Sequence, residues 1–159
     1  MATERARERP GGTEQPGATE RAGERSGATE LDEETLAFAH RMFDLARSGE
    51  TASLLEFVEA GLPVDLTNDA GDSLLILAAY HDQPATVAAL VGRGADTARI
   101  NDRGQTALGA AVFRQSAEAV AELLDAGADP GLGAPSAVEV ARFFDLPAMV
   151  EQLIGRPSA

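Results

Sequence analysis

The chain of 159 residues contains no cysteine and no lysine, and aromatic residues make up only 4% of it. Without cysteine, disulfide bonds and thiolate zinc sites are excluded, and nothing indicates an oxidising compartment. The absence of both residue types also removes several classes of catalytic nucleophile. No apolar run approaches the roughly 20 residues that span a bilayer, and the charged N-terminus lacks the apolar segment of a secretory signal. We therefore predict a cytoplasmic protein that does not enter a membrane.

Negative charge dominates the composition, with a formal net charge of -13. Residues 1–30 hold five Arg and six Glu, whereas residues 31–159 hold eight Arg against twenty Asp and Glu. A body this acidic repels phosphates and anionic membrane surfaces, and nucleic-acid binding depends on neutralising phosphates with basic side chains. The charge therefore predicts a soluble chain that binds no nucleic acid and favours a protein partner with a basic surface.

The first 30 residues are low in complexity and contain no large aliphatic residue after Met1. Such a segment cannot bury enough apolar surface to offset the entropy lost on ordering, so we predict a disordered tail over residues 1–30. A transit peptide is the functional alternative, but the six glutamates argue against it. We expect ordered structure to begin near Leu31, with Asp32 as a helix N-cap.

The rest of the chain repeats with a period of 33 residues, which indicates a stacked-repeat architecture. Apolar residues at helical spacing predict two helices in each unit, with Pro84 and Pro147 each opening a second helix. The candidate N-caps of the first helices are Ser73, Thr106 and Ser136. We predict an N-terminal capping pair over residues 31–67, repeats over 68–100 and 101–130, and a C-terminal capping pair over 131–159. The positions that match at the period are Asp69 and Asp102, Gly71 and Gly104, and Gly61, Gly94 and Gly127.

These repeats resemble the small bacterial members of the ankyrin-repeat family. Residues 94–96 and 127–129 match the Gly-Ala-Asp that ends a repeat of that family, and residues 73–79 and 106–111 are degraded forms of its Thr-Pro-Leu-His helix start and Ala-Ala pair. The resemblance covers roughly residues 32–155. It implies an all-α solenoid of about four stacked helix-turn-helix units with short turn fingers.

The histidine that the family places in the first helix is missing from every unit, where Ile76, Gly109 and Glu139 take its place. Losing one hydrogen bond costs about 1 kcal/mol, and burying an isoleucine contributes about 1.5–3 kcal/mol, so Ile76 can compensate. Gly109 has no such compensation and costs roughly 1 kcal/mol in a helix relative to alanine. We therefore predict that the first helix of the third unit is the least stable.

The resemblance implies that partners bind the turn tips and the exposed side of the first helices, which together form a concave groove. Three groove positions that fall in one column carry the aromatic residues Tyr80, Phe113 and Phe143, and aromatic and Arg residues dominate interface energetics. The alternative is that these rings only fill the ridge between helices. By position, the groove residues are Arg47, Tyr80, His81, Phe113, Arg114 and Phe143, and the tip residues are Asp69, Asp72, Asp102, Arg103 and Gln105.

The aspartates near the turns allow a second hypothesis, in which they attract a basic segment of the partner. Its alternative is that aspartate is simply favoured in turns. A calcium loop at residues 68–72 is disfavoured, since it lacks the EF-hand spacing and the closing glutamate. No other cluster has the spacing of a metal site, and no catalytic or phosphate-binding motif is present.

We therefore predict a monomeric, non-catalytic protein-interaction module without metal or cofactor. The first alternative is an inhibitor or immunity-type subunit that blocks an enzyme by occupying its site. The second is an unrecognised enzyme that uses a carboxylate pair for acid–base catalysis.

Overall fold

The computed structural model describes residues 18–155, with side chains described from residue 32 onward. Over these residues the chain forms eight α-helices and no β-strand, which confirms the all-α class. Two isolated β-bridges, Thr67 with Ser73 and Gly133 with Ser136, lie in the turns. The helices are α1 (Ala18–Ser48), α2 (Thr51–Glu59), α3 (Leu74–Tyr80), α4 (Pro84–Gly92), α5 (Ala107–Phe113), α6 (Ala117–Asp125), α7 (Ala137–Phe143) and α8 (Pro147–Ile154).

Helix α1 begins at Ala18, well before the predicted start near Leu31. Asp32 consequently lies inside the helix instead of capping it. Alanine, glutamate and arginine, which are frequent in this stretch, are strong helix formers, so local propensity favours the longer helix. The remainder of the predicted tail, residues 1–17, lies outside the described residues. The chain divides into two compact parts, of which the first ends at Phe38 and the second begins at Ala39.

The helix starts in the part of the chain that begins at Ala39 follow the local signals of the sequence. The hydroxyls of Ser73 and Thr106 accept hydrogen bonds from the backbone N–H groups of Ile76 (3.1 Å) and Gly109 (3.0 Å), which caps α3 and α5. Helix α7 begins with a full capping box: the Ser136 hydroxyl accepts a hydrogen bond from the Glu139 N–H, and the Glu139 carboxylate accepts one from the Ser136 N–H. Pro84 and Pro147 open α4 and α8, where the missing N–H costs nothing.

Two layers of helices make up the part of the chain that begins at Ala39. The inner helices α3, α5 and α7 pack side by side, and the outer helices α2, α4, α6 and α8 lie behind, with α2 on α4 and α4 on α6. Small side chains let the inner helices approach closely, and larger ones from both layers fill a single contiguous core. Leu75 and Leu108 are each 1% exposed in that core, and Val138 packs against it. The fully buried alanines of the inner helices are Ala78, Ala79, Ala110, Ala111, Ala137 and Ala141.

The turns that precede α3 and α5 are each organised by an asparagine side chain. Asn68 Oδ1 accepts hydrogen bonds from the backbone N–H groups of Ala70 and Asp72, both at 2.9 Å. In the next unit Asn101 Oδ1 accepts from Arg103 and Gln105, also at 2.9 Å. Side chains of this kind mimic a backbone turn, so the tips are fixed in shape before any partner arrives.

Backbone hydrogen bonds also join the successive turns. The N–H of Asp102 donates to the carbonyl of Ala70, and the N–H of Ala134 donates to the carbonyl of Gly104, both at 2.9 Å. Gly104 has φ +80°, and a Cβ there would lie 2.5 Å from the Ala134 oxygen, so the close approach requires glycine. The turns of units two, three and four therefore form one connected edge beside the inner helices.

Candidate partner-binding site

Three aromatic rings lie in consecutive contact across the ends of the inner helices, and we call Tyr80, Phe113 and Phe144 the aromatic ladder. The ring of Tyr80 stacks on that of Phe113 with centroids 5.9 Å apart and planes 4° apart, and Phe113 meets Phe144 edge-on at 5.7 Å. Contacts of this kind contribute about 0.5–1.5 kcal/mol each beyond area burial. Phe113 nevertheless remains 42% exposed and Phe144 46% exposed. The ladder is thus both packed within itself and accessible.

The sequence placed Phe143 in the aromatic column, but the structure puts its neighbour Phe144 in contact with Phe113. Helix α7 ends at Phe143, and Phe144 is its C-cap residue, from which the chain turns through Asp145 at φ 55°. Phe143 meets Phe144 edge-on, with centroids 5.0 Å apart, and is 80% exposed. The Phe143 ring therefore lies at the end of the ladder and is mostly exposed to solvent.

A pocket of about 480 Å³ lies beside the ladder, and we call it the Gly109 pocket. A Cβ added at Gly109 would meet only the Oγ1 of Thr106, at 3.5 Å, so open space lies above this residue. The corresponding position of α3 holds Ile76, which is 2% exposed and fills its surroundings. The pocket thus exists in the third unit because a side chain is missing there. Its lining residues are Gln105, Gly109, Phe113, Pro135, Glu139, Val140, Phe143 and Phe144.

The polar groups of the pocket are engaged in holding the fold. Glu139 Oε1 accepts a hydrogen bond from the Ser136 N–H at 2.8 Å, as part of the capping box. Gln105 Oε1 accepts from Asn101 Nδ2 at 3.1 Å and from the Arg103 guanidinium at 3.2 and 3.3 Å. Pro135 and Val140, which sequence reasoning missed as site residues, add apolar surface. An apolar pocket with few polar groups is suited to holding a side chain of a ligand.

A row of basic residues runs next to the ladder. His81 contacts the Tyr80 ring edge-on at 5.3 Å, and Arg114 follows Phe113 as the C-cap of α5. Burial holds the pKa of His81 below its usual value, and the positive charges of Arg47 and Arg114 lower it further, against an opposing effect of Asp72. The positive charges of Arg47 and Arg114 thus affect the pKa of His81 more than the negative charge of Asp72 does. Arg47 is itself paired with Asp44 at 2.8 Å.

The predicted turn tips divide into accessible and buried residues. Asp69, Asp102 and Arg103 are exposed. Asp72 is only 6% exposed, because its carboxylate accepts a hydrogen bond from Asn101 Nδ2 at 2.7 Å and lies 3.5 Å from the Arg103 guanidinium. The prediction that Asp72 is part of the accessible binding surface is therefore corrected: its side chain ties two neighbouring turns together. Gln105 is half-buried in the same network.

Charge is segregated between the two layers of helices. The outer helices carry no basic residue, whereas the inner helices α3, α5 and α7 carry one acidic residue, Glu139, and one basic residue, Arg142. The outer helices thus carry six of the twenty acidic residues whose side chains the structure describes, most of the others lie in α1 and in the turns, and α3, α5 and α7 together carry no net charge. The acidic residues of the outer helices are Glu56, Glu59, Glu118, Glu122, Asp125 and Glu151.

No helix among the described residues is long and apolar enough to cross a membrane. No group of three or more His, Cys, Asp or Glu side chains in the same part of the chain could hold a metal ion.

Comparisons with known proteins agree with this fold. The family model for ankyrin repeats (3 copies) matches residues 42–133, which is more than half of the chain. An ankyrin repeat protein of Pseudomonas aeruginosa is 52% identical over 58 residues, which are 36% of this chain and 34% of the relative. The crystal structure of the human ASB11 ankyrin repeat domain superposes with a TM-score of 0.65 and 26% identity, over 72% of this chain and 52% of that one.

The chain thus spans about a third of the curated relative and about half of the solved domain. Ankyrin repeats are in general protein–protein interaction modules and are typically not enzymes. The matched segment includes both central repeats, with their turns, their helix starts and their Gly-Ala-Asp endings. The chain belongs to the ankyrin-repeat family.

Proposed function

We propose that this chain is a non-catalytic module that binds a protein partner along the aromatic ladder and the Gly109 pocket. The observation that carries the proposal is an accessible pocket bordered by three exposed phenylalanine rings, in a chain with few aromatic residues. Contiguous exposed apolar surface is uncommon on soluble monomers and marks interaction sites. Aromatic side chains that fill or border pockets account for much of the binding free energy of interfaces.

The inner helices and the ladder rings beside the pocket are packed before binding, which supports the same function. Its inner helices rest on alanines with no exposed area, such as Ala110 and Ala141, and the ladder rings already touch one another. A partner would therefore order few side chains on this chain, and little conformational entropy would be lost on association.

The turn tips supply a polar border for the apolar centre. Asp69, Asp102 and Arg103 are exposed on turns that backbone hydrogen bonds hold in place. Interfaces commonly combine an apolar core with a polar rim of this kind. We assign these three residues to the rim, where they tune specificity and association rate more than affinity.

The test compares Phe143→Ala with Ile154→Ala. Phe143 is 80% exposed and Ile154, on α8, is 57% exposed, so each substitution removes a large surface side chain at little cost in stability. The full chain is used to capture proteins from the native lysate, and the affinity of each purified partner is then measured for both variants. We expect Phe143→Ala to weaken binding at least about tenfold, as truncation of a central interface residue does. Ile154→Ala should leave it unchanged.

The double variant Tyr80→Ala/Phe113→Ala separates binding from packing. Loss of binding with an unchanged melting temperature supports a binding role, and loss of several degrees supports a packing role. If a purified partner binds Phe143→Ala and the double variant as tightly as it binds the wild type, the proposed surface is wrong. Enzymatic turnover by the purified chain alone would contradict the non-catalytic assignment.

A further inference from the structure

Most arginines whose side chains the structure describes contact another side chain. The structure describes the side chains of seven arginines and twenty acidic residues. Four of these arginines form an ion pair and Arg41 lies over an aromatic ring, so within the described residues Arg114 and Arg142 are left without a contact of either kind. The held side chains are Arg41 over the ring of Phe57, Arg47 with Asp44, Arg93 with Glu59, Arg99 with Asp96 and Arg103 with Asp72.

The two remaining arginines lie in different surroundings. Arg142 lines a separate cavity of about 420 Å³ between α7 and α8, together with Pro147 and Ile154. Arg114 follows Phe113 directly and acts on His81 at the end of α3, so it lies beside the ladder but does not line the Gly109 pocket. In a chain this rich in carboxylates, Arg114 is therefore a charged group left unpaired beside an accessible apolar surface.

The charge around Arg114 points to the sign of its missing partner. Arg47 and Arg114 both act on His81, and together they outweigh the opposing Asp72, whose carboxylate is already bonded to Asn101. Arginine presents a planar fork of donors that matches a carboxylate, and neighbouring rings that exclude water strengthen such a pair. Arg114 thus offers positive charge to a ligand beside the ladder, in contrast to the acidic outer helices.

Resting on the proposed function, we infer that the partner presents a segment that is both acidic and apolar. An apolar side chain of that segment enters the Gly109 pocket, and an Asp or Glu side chain on the other side of Phe113 pairs with Arg114. The segment carries few acidic residues in total, because the chain's own net charge of -13 repels a strongly acidic partner.

Selection of random displayed peptides on the immobilised full chain tests this chemistry. We expect enriched sequences to combine Asp or Glu with a neighbouring Leu, Ile, Met or aromatic residue. The best peptide is then synthesised, and its affinity is measured by fluorescence anisotropy for the wild type, Arg114→Ala and Arg142→Ala. Arg114→Ala should weaken binding about tenfold or more, because a charge-assisted hydrogen bond is lost. Arg142→Ala makes the same change of charge and should alter affinity less than about twofold, since Arg142 lines the cavity between α7 and α8 and exposed charges are screened by salt.

A thermodynamic cycle shows whether the peptide acid meets Arg114. The acid of the peptide is replaced by its amide, and this change should weaken binding to the wild type as much as Arg114→Ala does. The same replacement should have little further effect on Arg114→Ala, because the interaction is already absent there. Additive losses would contradict the assignment of Arg114.

His81 supplies a readout that a purely structural role of Arg114 would not move. Its ring faces Arg47 from α1, Arg114 from the end of α5, Asp72 from the preceding turn and the ring of Tyr80. A bound carboxylate adds negative charge at this place, so the pKa of His81, followed by NMR, should rise when the peptide binds. An uncharged ligand would only bury the ring further and lower the pKa.

The outcomes distinguish this inference from the proposed function. Enriched peptides that need Phe113 for binding but carry Lys or Arg in place of an acid would overturn the inference and leave the proposed function standing. If the selection yields no peptide whose binding is lost in Phe113→Ala or Phe143→Ala, both are overturned.

Discussion

The second and third repeats follow one plan, and one of the positions at which they differ decides what each can do. Helices α3 and α5 each have seven residues, of which the first six are buried and the last is aromatic. Ile76 closes the space above α3, whereas Gly109 leaves the corresponding space above α5 open. The shared positions maintain the stack, and the candidate site lies where the repeat departs from its own pattern. Substitutions that open the space above α3 or fill the space above α5 test this difference.

The largest effect is expected when the second repeat is opened like the third. Ile76→Ala removes a side chain that is 2% exposed, so it should lower the free energy of unfolding by about 2–5 kcal/mol through lost burial and a cavity. Urea denaturation followed by circular dichroism measures the change. A cost below about 1 kcal/mol would mean that Ile76 does not close a well-packed core.

The turns that precede the two helices should differ next. Asn101 is 5% exposed and also donates to Asp72, whereas Asn68 is half-buried and bonds only within its own turn. Asn101→Ala leaves the buried Asp72 carboxylate without its closest donor and should cost about 1–3 kcal/mol beyond the cost of Asn68→Ala. Equal losses in denaturation midpoint for the two variants would show that the bond between turns contributes nothing.

Partial closure of the third repeat should stabilise it. Gly109→Ala adds a methyl group that meets only the Thr106 hydroxyl, at 3.5 Å, and removes the helix cost of glycine, so stability should rise by about 1 kcal/mol. Gly104→Ala is the matched control and should destabilise, because its Cβ would lie 2.5 Å from a carbonyl oxygen at a positive φ. A lower melting temperature for Gly109→Ala would show that the glycine is required by the fold.

The smallest effect concerns local opening. Amide protons of α5 should exchange faster than those of α4 (Pro84–Gly92), because glycine in a short helix favours the unfolded turn. Gly109→Ala should slow exchange in α5 and leave α4 unchanged. Exchange in α5 that is no faster than in α4 would remove the prediction that this helix is the least stable.

Most features set by neighbouring residues in the chain were predicted from sequence, apart from the start of α1, whereas individual contacts between distant residues were not. The caps Ser73 and Thr106 and the helix-opening Pro84 depend on local signals, and the structure has them as expected. The burial of Asp72 depends on Asn101, 29 residues away in the adjacent turn, so its aspartate read as an ordinary tip residue. The contact of Phe113 with Phe144 likewise depends on how α7 ends.

The sequence contains a signal for the pocket in Gly109, but from the sequence alone this residue predicts only a loss of helix stability. Gly109 stood out because a glycine occupies a helical position where the preceding unit has isoleucine. The sequence could not show that Pro135 and Val140, from the next unit, leave the space above it unfilled. The position of the next repeat shows that Gly109, which weakens its helix, also forms the floor of a pocket.

The most direct test of partner binding at the Gly109 pocket is Gly109→Leu, which fills the pocket instead of truncating a contact. Affinity for a captured partner or a selected peptide is measured beside the melting temperature of the variant. Leucine favours the helix by about 0.8 kcal/mol over glycine, so we expect an unchanged or higher melting temperature together with loss of binding. Wild-type affinity in a variant that is folded and has its pocket filled would contradict the proposed site.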